Sequence, residues 1–162
     1  MKLNDAKAFL QLGIHYYYGI SFPKDQKKGL DLITKAGELG SPNAHYTLGN
    51  AYCEGKGVKE DLKKATHHWR LAAIGGHEIS RHNLGTREEN NGNMDLAMKH
   101  YMIAAKSGYE DSLKIVGQGY KAGFVTKEDY ASTLRAYQCS LDAMKSEQRE
   151  FAAASGICDT II

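Results

Sequence analysis

The chain of 162 residues is long enough for one domain or a short array of repeats, and its composition is 42% hydrophobic and 25% charged. A formal net charge of +2 argues against a nucleic-acid partner, because such proteins usually carry a strongly basic surface. The mean hydropathy of −0.50 and the lack of long apolar runs argue against a membrane protein. The 17 glycines beside only 2 prolines indicate glycines at assigned positions.

The cysteines and the N-terminus bear on the cellular compartment. Cys53, Cys139 and Cys158 are odd in number and widely spaced, which is not typical of a disulfide framework or of a paired metal motif. No apolar stretch of signal-peptide length follows Met1. The sequence therefore predicts an intracellular, cytoplasmic location.

A repeat becomes visible when Gly13, Gly49 and Gly85 are aligned, since they are 36 residues apart and each follows a leucine. Gly117 follows after 32 residues, because the third unit has a shortened turn. An aromatic residue lies three places after the glycine in three units. A large residue lies twenty places after it in the first, second and fourth units and sixteen places after it in the shortened third unit. The recurring structural positions are Gly13, Gly49, Gly85, Gly117, Tyr52, Trp69, Tyr101 and Tyr137.

Each unit is predicted to form two helices joined by a turn. The apolar residues of each half repeat at helical spacing, and Asp25, Asp61 and Asp129 stand where a side chain would cap the second helix. A glycine inside the first helix costs about 1 kcal/mol relative to alanine, so it needs a reason. We expect Gly49 to leave room for the ring of Trp69, and Gly85 to do the same for Tyr101.

The second unit carries Ala44, Leu48-Gly49, Tyr52, Gly55-x-Gly57, Asp61, Ala65, Trp69 and Ala72-Ala73 at a spacing that resembles the Sel1-like repeat, a relative of the tetratricopeptide repeat. The resemblance implies an all-α fold, a right-handed superhelix (solenoid) of about four helix–turn–helix repeats with a C-terminal capping helix. The predicted units are 5–42, 43–78, 79–110 and 111–143, followed by a capping helix at 144–156 and an apolar tail at 157–162.

The resemblance also implies a function, because members of this family are mostly adaptors and scaffolds that hold protein complexes together. The leading hypothesis is a non-catalytic scaffold that binds a peptide or protein segment. A secreted, cysteine-rich branch has been linked to β-lactam hydrolysis, but it pairs cysteines within each repeat, and such pairs are missing here. A hydrolytic enzyme and an RNA-binding helical repeat remain as alternatives.

A partner is expected on the concave face formed by the first helices. Equivalent positions of the repeat units form columns along the array. With 100° per residue, one set of these columns in the first helices lies opposite the predicted core stripe. This candidate groove is apolar and aromatic at its start, polar in the middle and basic at its end. Its residues are Leu10, Ile14, Tyr17, Tyr18, Tyr46, Asn50, Cys53, His82, Thr86, Glu89, Lys114, Gln118 and Lys121.

The aromatic run Tyr16-Tyr17-Tyr18 leaves two interpretations open. Tyr17 and Tyr18 are predicted to point outward, where aromatic clusters often mark interfaces. They could belong to the groove, or they could be covered by a preceding helix or by a second copy in a homodimer through this first repeat.

The remaining motifs predict no catalytic residue, no metal site and no cofactor. The seven histidines show no HExxH or Cys/His ligand spacing, and the glycine pairs follow no strand of the phosphate-binding kind. Cys53 is the more reactive cysteine candidate, since it is placed on the open face.

Overall fold

The computed structural model describes the backbone of residues 2–154 and the side chains of residues 5–151. Within this range the chain forms eight α-helices and no β-strand. The helices are α1 (Lys2–Tyr18), α2 (Gln26–Glu38), α3 (Pro42–Glu54), α4 (Leu62–Ile74), α5 (Glu78–Asn90), α6 (Met94–Lys106), α7 (Glu110–Lys121) and α8 (Lys127–Ala154). The prediction of an all-α repeat fold is confirmed.

The helices are arranged as hairpins stacked in chain order. The pairs α1–α2, α3–α4 and α5–α6 pack most extensively, and each second helix also contacts the first helix of the next pair. Buried apolar side chains lie between the helices along the stack, with Ile33, Trp69 and Tyr101 at the centre of successive pairs. The first helices of the hairpins therefore form one face of the stack, and the second helices form the other.

Side-chain caps set the beginnings of the helices. Asp25 and Asp61 each accept hydrogen bonds from backbone N–H groups in the first turn of α2 and α4, as predicted. Asp129 was expected to do the same in the fourth unit, and that expectation is wrong. There Thr126 Oγ1 accepts from the backbone N–H of Asp129 and donates to the Asp129 carboxylate at 2.7 Å, so Thr126 is the capping residue.

The glycines inside the first helices make room for the residue that fills each hairpin. A Cβ atom on Gly49 would overlap the indole ring of Trp69, and one on Gly85 would lie 2.7 Å from Tyr101 Cε1. The expected packing of these two pairs is therefore present. Gly13 follows the same rule, since a Cβ added there would lie 2.7 Å from Ile33 Cγ1.

The fourth unit departs from this rule. A Cβ on Gly117 would lie 3.4 Å from the hydroxyl of Tyr130, an ordinary contact, so the nearest side chain is Tyr130 and not Tyr137. The close approach has moved two residues along to Gly119, where an added Cβ would lie 2.6 Å from Met98 Sδ of the preceding unit. The last hairpin is thus held mainly by its contact with α6.

The end of the array also differs from the prediction. Helix α8 runs without a break through residues 143 and 144, so residues 144–154 continue the fourth unit and do not form a separate capping helix. The other helices of the repeats contain 12 to 17 residues, whereas α8 contains 28. Gly156 and the predicted apolar tail at 157–162 lie outside the described residues.

Candidate functional site

Two of the predicted groove residues in the first unit lie in the core. Leu10 and Tyr17 are only 9% and 4% exposed, and the hydroxyl of Tyr17 donates a 3.1 Å hydrogen bond to the backbone oxygen of Lys56 in the next unit. The prediction that Tyr17 points outward is therefore wrong. Tyr18 is 61% exposed and stands edge-on to Tyr17, so it does point outward.

The reason is that these columns face the following unit. The residue three places before the repeat glycine contacts the next hairpin in each of the first three units. Thus Tyr46 stacks on His77, the residue that caps α5, with ring centroids 4.3 Å apart, and His82 Nδ1 lies 2.8 Å from Ser112 Oγ of α7. Much of the predicted groove is consequently contact between units, and only the end of the array leaves this column exposed, at Lys114.

The residue that follows the repeat glycine contacts the polar atom of the buried aromatic side chain in the second and third units. Asn50 Oδ1 accepts a 3.0 Å hydrogen bond from the indole N–H of Trp69. In the third unit the hydroxyl of Tyr101 donates to Glu89 Oε2 at 2.7 Å and lies 3.1 Å from Thr86 Oγ1. Burial, together with the Glu89 carboxylate, raises the pKa of Tyr101 to about 12. These groove residues therefore satisfy the polar ends of the buried aromatic rings.

The first unit shows the apolar version of the same pairing. There Ile33 fills the hairpin and Ile14 packs beside the same cluster, so neither needs a hydrogen bond. In the first three units, the chemistry of the residue after the glycine matches that of the residue it covers.

A hollow of about 390 Å³ opens between α3 and α5, and we call it the amide hollow. It contains three of the predicted groove residues, Asn50, Cys53 and Thr86. It also contains residues that no sequence motif had indicated. The full lining is Asn50, Cys53, Glu54, Leu62, Trp69, Asn83, Thr86, Arg87 and Asn90.

The polar groups of the amide hollow have a definite orientation. The oxygen of Asn50 accepts the hydrogen bond from Trp69, and its amide N–H₂ group takes no part in that bond and can donate to another group. The carboxylate of Glu54 pairs with Lys56, which lies outside the lining. Arg87 therefore contributes positive charge beside side-chain amides, a combination suited to peptide carbonyls and carboxylates.

The surroundings of Cys53 disfavour its thiolate form. Burial raises the pKa of its thiol, and the carboxylates of Glu54 and Glu60 raise it further. Because the thiolate is the reactive form, the expectation that Cys53 is the more reactive cysteine is not supported by its surroundings. Cys139 is exposed on α8.

A second hollow, of about 500 Å³, lies between α7 and α8, and we call it the terminal hollow. It brings together the last three predicted groove residues. Lys114 is paired with Glu110 at 3.0 Å and with Asp111 at 3.3 Å. The two carboxylates raise the pKa of Lys114, and their negative charges offset its positive charge at this end of the array. The lining is Glu110, Leu113, Lys114, Gly117, Gln118, Lys121, Tyr130 and Tyr137.

Histidines that belong to separate columns of the repeat meet in the second hairpin. His45 Nδ1 and His68 Nδ1 are 3.2 Å apart, and the ring of His68 also stacks near Tyr52 at 5.6 Å. Burial, with the nearby His45, His67 and Lys64, lowers the pKa of His68 to about 4. Over residues 5–151, no group of three or more His, Cys, Asp or Glu side chains is placed to hold a metal ion.

None of the helices between Lys2 and Ala154 combines the length and apolar character needed to cross a membrane.

The fold and its stacked hairpins define the chain as a helical repeat protein. Residues 6–41 and 42–77 match the family model of the Sel1 repeat, so the resemblance drawn from the motifs is confirmed and the chain carries at least these two Sel1 repeats. Proteins built from this repeat are generally protein-interaction scaffolds and typically non-catalytic.

Two solved structures are similar over most of this chain. A Sel1 repeat protein from Oxalobacter formigenes superposes with a TM-score of 0.72 at 24% identity, covering 92% of this chain and 64% of that protein. A protective antigen of uropathogenic Escherichia coli strains that displays an SLR fold superposes with a TM-score of 0.69 at 29% identity, covering 93% of this chain and 34% of that protein. The chain thus spans about two thirds and one third of these proteins.

Proposed function

We propose that this chain is a non-catalytic scaffold that holds an extended segment of a partner protein in the amide hollow. The observation that carries the proposal is the hydrogen bond from Trp69 to Asn50, which fixes the direction of a side-chain amide at the floor of the hollow. A preoriented amide binds a peptide at a lower cost in side-chain entropy than a free one.

The chemistry of the lining favours a peptide with an acidic residue. Asn50, Asn83 and Asn90 offer amides that match the peptide backbone, and Arg87 can bind a carboxylate with two parallel hydrogen bonds. The indole of Trp69 and the side chain of Leu62 supply an apolar surface between them. A volume of about 390 Å³ is suited to one or two side chains of a bound segment.

The surroundings of Cys53 favour a scaffold over a thiol-dependent hydrolase. A raised thiol pKa keeps the sulfur protonated near neutral pH, where a nucleophilic cysteine would need to be ionised. The balanced charge of the chain and the single arginine that lines this hollow give little support to an RNA-binding role.

The test is a peptide-display selection on the intact chain, followed by fluorescence anisotropy with the selected peptides. We expect acidic residues to be enriched, and we expect Arg87→Ala and Asn83→Ala to weaken binding at least about tenfold each. Lys99→Ala is the matched control, because Lys99 is exposed on α6 and does not line the hollow. Selected peptides that bind both hollow variants as tightly as the unchanged chain would rule out this site.

A further inference from the structure

Arg87 lies beside the amide hollow without a carboxylate partner. Its side chain is half-buried, and none of the described side chains forms an ion pair with it. A guanidinium group is always charged and pairs most strongly with a carboxylate that accepts two parallel hydrogen bonds. The hollow therefore contains a cation that is available for the carboxylate of a partner.

Glu54 is the carboxylate of this chain that could occupy that place. It lines the hollow from the end of α3, whereas Arg87 lines it from α5. Burial, then the carboxylates of Glu54 and Glu60, raise the pKa of the Cys53 thiol, and Arg87 lowers it. The charges of Glu54 and Arg87 thus act on the same part of the hollow. An ion pair between them would block the position that an acidic partner needs.

Glu54 is paired instead with Lys56. The ammonium group of Lys56 contacts Glu54 Oε2, and Lys56 lies in the turn after α3, outside the lining of the hollow. The carboxylate is therefore held by a residue outside the hollow, while Arg87 remains unpaired inside it.

The backbone of Lys56 is fixed on both sides of its Cα atom. Its N–H donates to the backbone oxygen of Ala51 at 3.1 Å, and its own backbone oxygen accepts the hydroxyl of Tyr17 at 3.1 Å. A Cβ on Gly57 would lie 2.9 Å from Gln26 Cβ, so the turn packs closely against the first unit. A backbone held in this way presents the lysine side chain to Glu54 with only side-chain entropy left to lose.

We propose that Lys56 keeps the amide hollow open to an acidic partner by holding the Glu54 carboxylate away from Arg87. This inference rests on the proposed function of the hollow. It makes Lys56 a specificity-determining residue that acts without touching the partner. The first unit has no side chain in the lining, and it takes part in the site through the hydrogen bond from Tyr17 to Lys56.

The ion pair can be removed without unfolding the chain. The side chains of Lys56 and Glu54 are 62% and 48% exposed, and an exposed ion pair contributes little to stability. Lys56→Met keeps most of the aliphatic chain and removes only the charge. Glu54 should then turn to Arg87, since arginine binds a carboxylate more specifically than lysine does.

Cys53 provides a readout that needs no partner. With Cys139 and Cys158 replaced by serine, the pKa of the Cys53 thiol is measured from the pH dependence of its alkylation by iodoacetamide. We expect Lys56→Met to raise this pKa by about 0.5, because Glu54 would then neutralise the charge of Arg87 that lowers it. In a Glu54→Gln background the same substitution should have little effect.

Lys59→Met is the matched control. It removes a lysine from the same turn, and Lys59 does not line the amide hollow. The pKa of the Cys53 thiol should not change with this variant in either background. A pKa that Lys56→Met leaves unchanged, or raises equally in the Glu54→Gln background, would overturn the proposal.

The acidic peptides selected on the intact chain supply the second measurement. Lys56→Met should weaken their binding at least about fivefold, and Glu54→Gln should abolish that loss. An equal loss in both backgrounds would mean that Lys56 contacts the peptide directly, which contradicts the proposal. Peptides that bind independently of Arg87 would overturn the proposed function instead, and the thiol pKa would still decide whether Lys56 controls Glu54.

Discussion

The indole N–H of Trp69 donates a 3.0 Å hydrogen bond to Asn50 Oδ1 across the second hairpin. One residue earlier in α3, Gly49 provides the space in which the indole ring lies. Two neighbouring residues of α3 therefore accommodate the side chain of Trp69. Gly49 makes room for its apolar ring, and Asn50 accepts the hydrogen bond from its N–H group. The floor of the amide hollow is built by this pair.

Replacing the repeat glycine should have opposite effects in the second and fourth units. Gly49→Ala gains helix propensity but places a methyl group against the indole ring, so we expect a loss of about 1–3 kcal/mol in the free energy of unfolding. Gly117→Ala meets only an ordinary contact with Tyr130 and should raise stability by up to about 1 kcal/mol. Urea denaturation of both variants measures this. A stabilised Gly49→Ala protein would contradict the packing role.

The Trp69–Asn50 hydrogen bond should be visible in a double-mutant cycle. Asn50→Ala removes the acceptor and leaves a half-buried N–H unpaired, which should cost about 1–3 kcal/mol of unfolding free energy. In the Trp69→Phe background, which lacks the N–H, the same substitution should cost much less. Asn90→Ala, on the exposed rim of the hollow, is the control and should change stability little in both backgrounds. Equal costs of Asn50→Ala in the two backgrounds would argue against the bond.

The fold was predictable because the core positions recur. Each hairpin needs a gap at the glycine and a large residue that fills it from the second helix, so Gly49 with Trp69 and Gly85 with Tyr101 could be matched from the repeat. The lining of the amide hollow could not be found this way. Asn83, Arg87 and Asn90 face outward, where packing does not require any particular residue to recur.

The errors about the groove have a geometric cause. Helical spacing shows that Tyr17 and Tyr52 lie on different faces of their helices, but it does not show which neighbour covers each face. A repeat array covers one such face with the next unit, which buries Tyr17. The unbroken course of α8 has a separate cause. Leu141 stands where the earlier units have a small residue, and no glycine follows it, so the signal that ends the earlier second helices is missing.

The two neighbouring tyrosines of α1 should respond very differently to truncation. Tyr17→Ala removes a 4% exposed ring and its bond to Lys56, and should cost about 3–5 kcal/mol of unfolding free energy. Tyr18→Ala acts on a 61% exposed ring and should cost less than about 1 kcal/mol. Thermal and urea denaturation distinguish these outcomes. Similar losses for both variants would mean that Tyr18 also has a covered face in solution.

Acid should destabilise the array through its half-buried histidines. Burial lowers the pKa of each below the ordinary value of 6.5, and for His68 the pKa is about 4. The residues concerned are His45, His68, His77, His82 and His100.

The direction of the effect follows from proton binding. Between pH 6.5 and the lowered values, the unfolded chain binds more protons than the folded one, so stability is present in full above pH 6.5 and is lost as the pH falls towards 4. His77 adds a structural reason, because its Nδ1 accepts the backbone N–H of Ser80 at the start of α5 and cannot do so once protonated.

Urea midpoints measured at neutral pH and in mild acid test this dependence. We expect a lower midpoint in acid and a smaller drop for His68→Gln, which cannot take up a proton at this position. His15→Gln is the control, since His15 lies in α1, apart from the His45–His68 pair. A midpoint that is independent of pH over this range, or a drop that His68→Gln leaves unchanged, would show that the buried imidazoles do not control stability in acid.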